Sequence, residues 1–394
     1  MKIGILTKEF PPYVYGGAGV HVGNLVNELS KKNQVWVNYF GNKNFRKKNL
    51  TITGYSGCDK LSQPEKIKFK KLLEAQSIAL QIAGTNPKFD IIHSHTWYTA
   101  FTGFLLKTLY NLPLVTTMHS LEPLRPWKAD QLGTGYKISS WMEKLAIENA
   151  DKIIAVSEGM KKDIVRCYNM PPSRIEVIYN GVDANQFKKT STKSIFKKFH
   201  IDASRPYLLF VGRTTRQKGL KYLLEAFGKI KEPAQLVIIS SSSDERIIHQ
   251  EIKEKIHVLR RQGKIIHNIE KFISFNELSQ FYSHASVFVC PSVYEPFGII
   301  NLEAMACETP VVASAVGGIP EVVVPHKTGL LVPFNPKNEK AFIAGLEKNI
   351  NQLLNNSDQA KKMGVFGRQL VEKKFSWKNI SNQTLAVYNK TLKN

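Results

Sequence analysis

The sequence is poor in cysteine, in acidic side chains and in long apolar runs, and each shortage excludes a class of protein. Its 394 residues contain four cysteines, none at the spacing of a metal site, which excludes a disulfide framework and a cysteine-bound metal. No apolar run is long enough to cross a membrane, and the run before Lys8 and Glu9 is too short for a signal peptide. The sequence therefore predicts a reduced, cytoplasmic protein without integral membrane contact.

The shortage of acids leaves a large excess of positive charge. Lys and Arg number 55 against 32 Asp and Glu, which gives a formal net charge of +23. Such an excess favours an anionic partner, either a polymer or a phosphorylated small molecule. The lysines are scattered over predicted exposed helix faces and linkers, and the sequence has no RNA-binding aromatic motif. We therefore expect no nucleic-acid partner, and a non-catalytic polyanion-binding protein is the remote alternative.

Short apolar strands alternate with helical and loop segments along the chain. This alternation predicts an α/β fold with parallel, doubly wound sheets, and the length suits two domains of about 200 residues each. A segment rich in Lys, Ser and Thr at residues 186–205 marks the boundary. We predict domains at residues 1–190 and 191–375 and a separate C-terminal helix at residues 376–394. The strands are predicted at residues 2–7, 35–40, 51–55, 91–93, 114–117, 153–156, 177–179, 207–212, 236–240, 265–266, 287–290, 311–313 and 330–332.

The stretch VFVCPSVYEPFGIINLEAMACETP, from Val287 to Pro310, contains two acids in different settings. Pro296 permits a helix to begin after it, which places Glu295 on a loop behind a buried strand and Glu303 in the second helical turn. The helix is apolar nearly all round, so Glu303 needs a partner or has a strongly perturbed pKa. Its N-terminus faces the carboxyl end of a parallel strand, where open α/β sheets bind anions.

Two other strand ends carry candidate ligand-binding residues. Arg213 and Lys218 lie between the strand YLLFVG and an amphipathic helix, where two cations can stabilise a departing anion. Near the N-terminus, a strand is followed by a loop with Gly16 and Gly17 and then by a helix. The glycine spacing is not G-x-G-x-x-G, so it predicts a tight packing turn rather than a dinucleotide fingerprint.

Two features bear on metal binding. His93 and His95 form an H-S-H pair at a strand end, and His119 ends the next strand. The pair lacks a nearby third ligand in the sequence, so we interpret His93 and His95 as structural histidines rather than metal ligands. No D-x-D motif follows a strand. We therefore expect no metal and no cofactor.

Several separated motifs resemble those of retaining nucleotide-sugar glycosyltransferases of family 4, which have the GT-B architecture. In chain order they are KEFPPYVYGGAGVHV, TMHS, YNGVD, GRTTRQKG and CPSVYEPFGIINLEAMACETPVVASAVGGIPEVV. Within the family the chain resembles glycogen synthases, and among these most of all the short branch that makes maltose 1-phosphate. The resemblance implies two Rossmann-like domains with parallel sheets facing across a cleft, and a last helix that packs back on the first domain.

The resemblance also implies an activity, which is transfer of glucose from ADP-glucose with retention at the anomeric carbon, in glycogen or α-glucan biosynthesis. Neither carboxylate need be a nucleophile, and a front-face step and a covalent intermediate both stay open. The implied catalytic residues are Glu295, His119, Arg213 and Lys218. The implied donor-binding residues are Gly16, Gly17, Asn180, Arg213, Lys218, Phe297, Gly298, Ile299 and Glu303. The candidate acceptor-binding residues are Glu9, Tyr15, Trp97, Arg125 and Lys128.

Two departures from the long glycogen synthases bear on the acceptor. Tyr15 stands where they carry a lysine before the twin glycines, and Thr96 stands where they carry an aspartate after the second histidine. These departures favour glucose 1-phosphate over an α-glucan as acceptor, with Arg125 and Lys128 as candidate ligands of its phosphate. A further alternative keeps the enzyme class but pairs a UDP- or GDP-sugar with a lipid or small-molecule acceptor.

Overall fold

The chain divides into two compact units in the computed structural model, which describes residues 1–14, 16–58, 68–241 and 246–393. Unit 1 consists of Met1–Asn180 together with Trp377–Asn394, and unit 2 consists of Gly181–Ser376. The first boundary therefore follows Asn180, whereas the sequence predicts a boundary after residue 190.

Hydrogen bonds explain why residues 181–190 belong to unit 2. The amide of Val182 donates to the carbonyl oxygen of Phe375 over 2.9 Å. The hydroxyl of Ser279 donates to the carbonyl oxygen of Gln186, also over 2.9 Å. The segment has no hydrophobic periodicity of the kind that indicates a domain core, so its local sequence does not reveal these contacts with distant residues.

Unit 1 contains one sheet of eight strands. The strands are β1 (Lys2–Thr7), β2 (Gln34–Phe40), β3 (Phe45–Lys47), β4 (Leu50–Tyr55), β5 (Ile91–His95), β6 (Leu114–Met118), β7 (Lys152–Ala155) and β8 (Ile175–Val177). Their order is β3-β4-β2-β1-β5-β6-β7-β8, and every neighbouring pair is parallel except β3 with β4. Strands β5 and β6 are buried at every residue, as expected for parallel strands covered on both faces.

Helices connect these strands in the right order for a doubly wound fold. They are α1 (Gly17–Leu29), α2 (Lys70–Ala83), α3 (Ala100–Tyr110), α4 (Lys128–Leu132), α5 (Gly135–Asn149) and α6 (Glu158–Tyr168). The apolar face of α1 is buried through Val22, Leu25 and Val26, which lie in the same core cluster as Ile3 and Ile5 of β1.

Unit 2 contains a second sheet in which all neighbouring strands are parallel. Its strands are β9 (Tyr207–Arg213), β10 (Gln235–Ser241), β11 (Ile266–Ile269), β12 (Val287–Cys290), β13 (Val311–Ser314) and β14 (Gly329–Val332), in the order β11-β10-β9-β12-β13-β14. Its helices are α7 (Ser194–Lys198), α8 (Leu220–Lys229), α9 (Arg246–Arg261), α10 (Phe275–His284), α11 (Ile299–Ala306), α12 (Ile319–Val322), α13 (Glu339–Asn355) and α14 (Ser357–Lys374). Two parallel-sheet α/β units confirm the predicted fold class.

The last helix, α15 (Trp377–Thr391), belongs to unit 1 although it follows unit 2 in the chain. Its buried residues Ile380 and Tyr388 join the core cluster that contains Leu25 of α1. Among the described residues, no helix combines the length and apolarity that a membrane span requires.

Each sheet has one point at which the strand order reverses. In unit 1 this switch point lies between β1 and β5, and in unit 2 it lies between β9 and β12. The loops that leave two such strands diverge to opposite faces of the sheet, and the gap between them is where open α/β sheets bind ligands. The fold thus selects the loops after β1 and β5 and after β9 and β12 as candidate sites.

Candidate active site

Lys218 and Glu295 form an ion pair at the switch point of unit 2. Lys218 follows β9 and Glu295 follows β12, and the Lys218 Nζ atom lies 2.5 Å from Glu295 Oε2. The side chains are 15% and 10% exposed, so both charges are largely withdrawn from water while one edge stays accessible. Two oppositely charged groups are therefore fixed where a ligand is expected.

The loop after β9 is pressed against the loop after β12. Gly219 has a φ of +65°, and a Cβ atom there would lie 2.0 Å from the carbonyl oxygen of Pro291. Only glycine fits this position. Gln217 ties the loops together, because its side chain donates to the carbonyl of Tyr294 over 3.0 Å and its own carbonyl accepts from the Val293 amide over 2.9 Å. These contacts fix the direction in which Lys218 points.

The backbone around Glu295 is held equally tightly. Its carbonyl oxygen accepts from the Gly318 amide over 3.0 Å, and a Cβ atom on Gly317 would lie 2.0 Å from that oxygen. Gly317 has a φ of +54°, so glycine is required for conformation as well as for space. The Ser292 hydroxyl donates to Glu295 Oε2 over 3.2 Å. The carboxylate is thus preorganised by both its backbone and its side-chain partners.

Helix α11 begins directly after this loop. Gly298 precedes its first turn with a φ of +96°, Phe297 is buried, and Ile299 opens the helix. The first amide groups of a helix lack intrahelical partners and attract negative charge. The predicted arrangement of loop and helix is present, with the helix starting at Ile299.

Glu303 lies in the second turn of α11 and is buried. The hydroxyl of Tyr282 donates to its Oε2 atom over 2.9 Å. Burial raises the pKa of Glu303 to about 7, against the opposing effects of the Tyr282 hydrogen bond and the Lys218 charge. The predicted need for a partner is confirmed, since the Tyr282 hydroxyl bonds the Glu303 carboxylate.

The chemistry of this site suits a ligand with both negative charge and hydroxyl groups. Lys218 and, at the end of β9, the partly buried Arg213 supply positive charge. The α11 N-terminus adds partial positive charge. Glu295 and Glu303 supply acceptors for hydroxyl groups. This combination suits a phosphorylated sugar, because the cations can bind its phosphate and the carboxylates can accept hydrogen bonds from its hydroxyl groups.

Four histidines gather at the switch point of unit 1. His95 ends β5 and His119 follows β6, and His95 Nδ1 lies 3.1 Å from His119 Nε2. From α1, His21 contacts the ring of His119 with a centroid separation of 4.8 Å and bonds Asn180 Oδ1 through Nδ1 over 2.7 Å. Behind them, His93 uses both ring nitrogens, one with Tyr388 of α15 and the other with Thr117.

All four imidazoles are neutral at physiological pH. Burial lowers the pKa of His21 to about 4 and that of His93 to about 3. Burial, reinforced by the neighbouring histidines, lowers the pKa values of His95 and His119 well below the usual range. The sequence shows no third ligand near the H-S-H pair, but the fold brings His21 and His119 to it.

The glycine loop of unit 1 is held by Glu9. Its Oε2 atom accepts from the amide of Gly16 over 2.9 Å, and a Cβ atom on Gly19 would lie 2.9 Å from the same oxygen. Gly17 opens α1. Glu9 is thus a structural residue of this turn, and Tyr15 lies outside the described residues.

The remaining acceptor candidates have partners within unit 1. Trp97 is 2% exposed, stacks on Tyr98 and lies in a core cluster, so nearly all of its surface is buried inside the protein. Arg125 forms an ion pair with the buried carboxylate of Glu122. Lys128 opens α4, and its Nζ donates to Gln131 Oε1 over 2.6 Å.

The sequence did not single out several residues that shape these sites. His21 lies in the apolar stretch VHVGNLV, and its apolar neighbours, which indicate that it is buried, are the only signal in the sequence. Tyr282 contacts Glu303, and Gln217 links the Lys218 loop to the Glu295 loop, across separations of 21 and 77 positions in the chain. Their roles depend on tertiary contacts, which local patterns do not encode.

Comparisons with known proteins agree with this geometry. Residues 15–186 match the family model "Glycosyltransferase Family 4", and residues 191–370 match "Glycosyl transferases group 1". The alpha-maltose-1-phosphate synthase of Mycolicibacterium smegmatis is 40% identical over 398 residues, which cover 99% of each chain. The glycogen synthase of Mycobacterium tuberculosis is 26% identical over 417 residues, covering 98% of this chain and 94% of its own.

A solved structure shares the fold over the whole chain. The sucrose-phosphate synthase from Thermosynechococcus elongatus superposes with a TM-score of 0.80 at 25% identity, covering 99% of this chain and 98% of its own.

Proposed function

This chain belongs to glycosyltransferase family 4, has the GT-B fold and is a hexosyltransferase, and from that premise we propose that it transfers glucose from ADP-glucose to glucose 1-phosphate. The observation that carries the proposal is the 40% identity to an alpha-maltose-1-phosphate synthase over 99% of both chains. α-Maltose 1-phosphate consists of two glucose units and one phosphate. One glucosyl transfer to glucose 1-phosphate therefore makes it. The non-reducing end of an α-glucan is a second candidate acceptor for the same transfer.

The geometry of unit 2 supports expulsion of a nucleoside diphosphate. The bond between the anomeric carbon and the diphosphate oxygen breaks, and its electron pair stays on that oxygen. A new bond forms to a hydroxyl oxygen of the acceptor, whose proton passes to the departing diphosphate or to solvent. Negative charge accumulates on the diphosphate, where Lys218 and Arg213 stabilise it. Lys218 is already oriented by Glu295 and by the interlocked loops, so little reorganisation is needed when charge develops.

The carboxylates have separate roles in this proposal. Glu295 accepts hydrogen bonds from hydroxyl groups of the transferred sugar, and its fixed backbone keeps it in place. Glu303 accepts from the ribose hydroxyls of the nucleotide, since Tyr282 occupies only its Oε2 atom. In unit 1, His119 and Asn180 keep the roles that the family resemblance implies, as contacts of the sugar's 6-hydroxyl.

A grid of substrates tests the proposal. ADP-, UDP- and GDP-glucose are each incubated with glucose 1-phosphate, glycogen or glucose, and the products are identified by mass. We expect maltose 1-phosphate and free ADP from the pair ADP-glucose and glucose 1-phosphate. The Glu295→Gln variant supplies the background rate for each pair.

Other outcomes select the alternatives. Faster turnover of UDP- or GDP-glucose would reassign the nucleotide, and elongation of glycogen alone would reassign the acceptor. A lack of nucleotide release from every donor would contradict the enzyme assignment and leave a polyanion-binding role.

A further inference from the structure

We propose that His21, His95 and His119 form a binding site for a zinc-class divalent cation. One nitrogen from each of these side chains lies within 4.8 Å of the other two. Three histidines with a water molecule as fourth ligand are a known coordination set for zinc. Neither the reaction proposed above nor the family comparisons call for such a site.

The separation of two of the nitrogens already fits a bound ion. Ligand nitrogens about 2.0–2.1 Å from a tetrahedral ion lie roughly 3.4 Å from each other. His95 Nδ1 and His119 Nε2 are 3.1 Å apart, so an ion can replace the hydrogen that they share with little ring movement. The displaced proton moves to the other nitrogen of the ring that carried it, which keeps both imidazoles neutral. The two sides that run to His21 are each at most 4.8 Å, so small shifts of the three side chains are enough to bring their nitrogens to the separation that an ion requires.

The hydrogen bond of His21 prepares its other nitrogen for a metal. Its Nδ1 donates to Asn180 Oδ1 over 2.7 Å, which leaves the lone pair on Nε2. Such a partner on the far nitrogen is typical of metal-binding histidines, because it fixes the tautomer and the ring orientation. The Nε2 atom is buried and has no hydrogen-bond partner among the residues that the structure describes. A buried polar atom without a partner is costly, and a bound ion removes that cost.

The surroundings define which ion fits and how it enters. The His93 ring lies 4.2 Å from the His95 ring between centroids, and its two nitrogens are hydrogen-bonded to Tyr388 and Thr117, so His93 supports the site and is not one of its ligands. His119 is only partly buried, which leaves a path from solvent. Three imidazole nitrogens favour zinc, nickel, cobalt or copper over magnesium and calcium, which prefer oxygen ligands.

An ion bound here should inhibit sugar transfer, a consequence that rests on the proposed role of His119. The ion engages the His119 Nε2 atom and adds two positive charges where a neutral donor sugar is expected. Direct binding measurements need no substrate, so failure of the site and failure of the proposed function are distinguishable.

Binding of Zn²⁺ and Co²⁺ to the full-length, EDTA-treated and desalted enzyme tests the site. We expect one tight Zn²⁺ per chain by titration calorimetry and a visible absorption spectrum of tetrahedral Co²⁺ that Zn²⁺ displaces. Mg²⁺ should give neither signal. His95→Gln should abolish both signals, whereas His249→Gln, which changes a histidine of α9 in unit 2, should leave them unchanged.

A stability measurement covers the case of a poorly folded variant. Zn²⁺ should raise the melting temperature of the wild type, because it binds the folded state, but not that of His21→Gln or His95→Gln. Absent Zn²⁺ binding in the wild type, or equal binding in the His95→Gln variant, would overturn the site. Binding without inhibition would retain the site and overturn the consequence for transfer.

Discussion

The paired charges of Lys218 and Glu295 illustrate how single residues acquire a function from their position. Each is an ordinary surface residue type, yet their side chains are only 15% and 10% exposed and touch each other. In the proposed reaction the site also receives a diphosphate, so the cation acts on two anions at once. Lys218 then neutralises the leaving group while Glu295 keeps the Lys218 side chain in position.

Truncation of either side chain should remove most of the activity. We expect Lys218→Ala and Glu295→Ala each to lower the rate of ADP release from ADP-glucose by about 100-fold or more, since each removes a preorganised contact with the reacting donor. The fold should persist, because neither side chain belongs to an apolar core cluster. Initial rates and circular dichroism spectra measure the two properties.

Lys221→Ala provides the matched control for this pair. Lys221 lies three residues further along, and its Nζ atom is 3.3 Å from Glu339 in an ion pair whose side chains are 35% and 43% exposed. Such exposed pairs contribute little, so this variant should keep nearly normal turnover. Turnover near the wild-type rate in either of the two site variants would contradict the assignment.

Part of the residue-level picture was accessible from the sequence. Arg213, Lys218 and Glu295 were predicted at strand ends because apolar runs locate the strands and ligands bind beyond them. The sequence does not show that Lys218 reaches Glu295, since 77 positions separate them and the contact depends on the neighbouring order of β9 and β12. His21 was missed for a similar reason, because it meets His119 only through the fold.

At the scale of elements, the segment between β6 and α5 combines a buried acid network with two basic side chains. The Arg125 guanidinium pairs with Glu122, which is fully buried. The Glu122 amide donates to Glu143 Oε1 over 2.7 Å, as does the Tyr168 hydroxyl over 2.5 Å. Burial, together with the charge of Glu122, raises the pKa of Glu143 to about 8. Arg125 thus stabilises the buried carboxylate of Glu122, in addition to any contact that it makes with an acceptor.

Lys128 is consequently the cleaner probe of phosphate recognition. If this segment binds the phosphate of glucose 1-phosphate, Lys128→Ala should raise the KM for that acceptor several-fold and leave the KM for ADP-glucose unchanged. Transfer to glycogen should change less, because a neutral glucan end has no phosphate. Arg125→Ala should show the same KM pattern together with a lower melting temperature, since unpairing a buried carboxylate costs about 3–5 kcal/mol.

An exposed lysine nearby supplies the comparison. Lys137→Ala removes one positive charge from α5 without touching Glu122 and should leave both KM values unchanged. If the Arg125 and Lys128 double alanine variant binds glucose 1-phosphate as the wild type does, the two cations are solvated or structural charges only.

Elements differed in how well their sequences predicted them. Strand β12 was predicted with its observed bounds, because VFVC is a short β-branched and apolar run before a proline. Strand β3 (Phe45–Lys47) was missed, since its three residues are exposed and carry no apolar alternation. It forms because it pairs with β4 at the edge of the sheet, a preference that the segment alone does not reveal.

At the scale of the whole molecule, two parallel sheets place their functional side chains by one rule. The histidines and the glycine loop occupy the switch point of unit 1, and Lys218 with Glu295 occupies that of unit 2. Alternating strands and helices predicted both sheets. The family resemblance implied the return of α15 to unit 1, and its physical cause is the packing of Tyr388 and Ile380 into a core that contains Ile3, Leu25 and Ile178.

The source of the charge that stabilises the leaving group gives a prediction for the intact enzyme. Arg213, Lys218 and the N-terminus of α11 together supply positive charge at the switch point of unit 2, and no D-x-D motif follows a strand. We therefore propose that the departure of the diphosphate needs no divalent cation. We expect full transfer activity in excess EDTA, measured as initial rates of ADP release with and without added Mg²⁺. If the preparation carries zinc, its initial rate of ADP release should rise in EDTA, because EDTA would remove the zinc from the histidine site. A loss of activity in EDTA that Mg²⁺ or Mn²⁺ restores would show that the protein's own cations are insufficient.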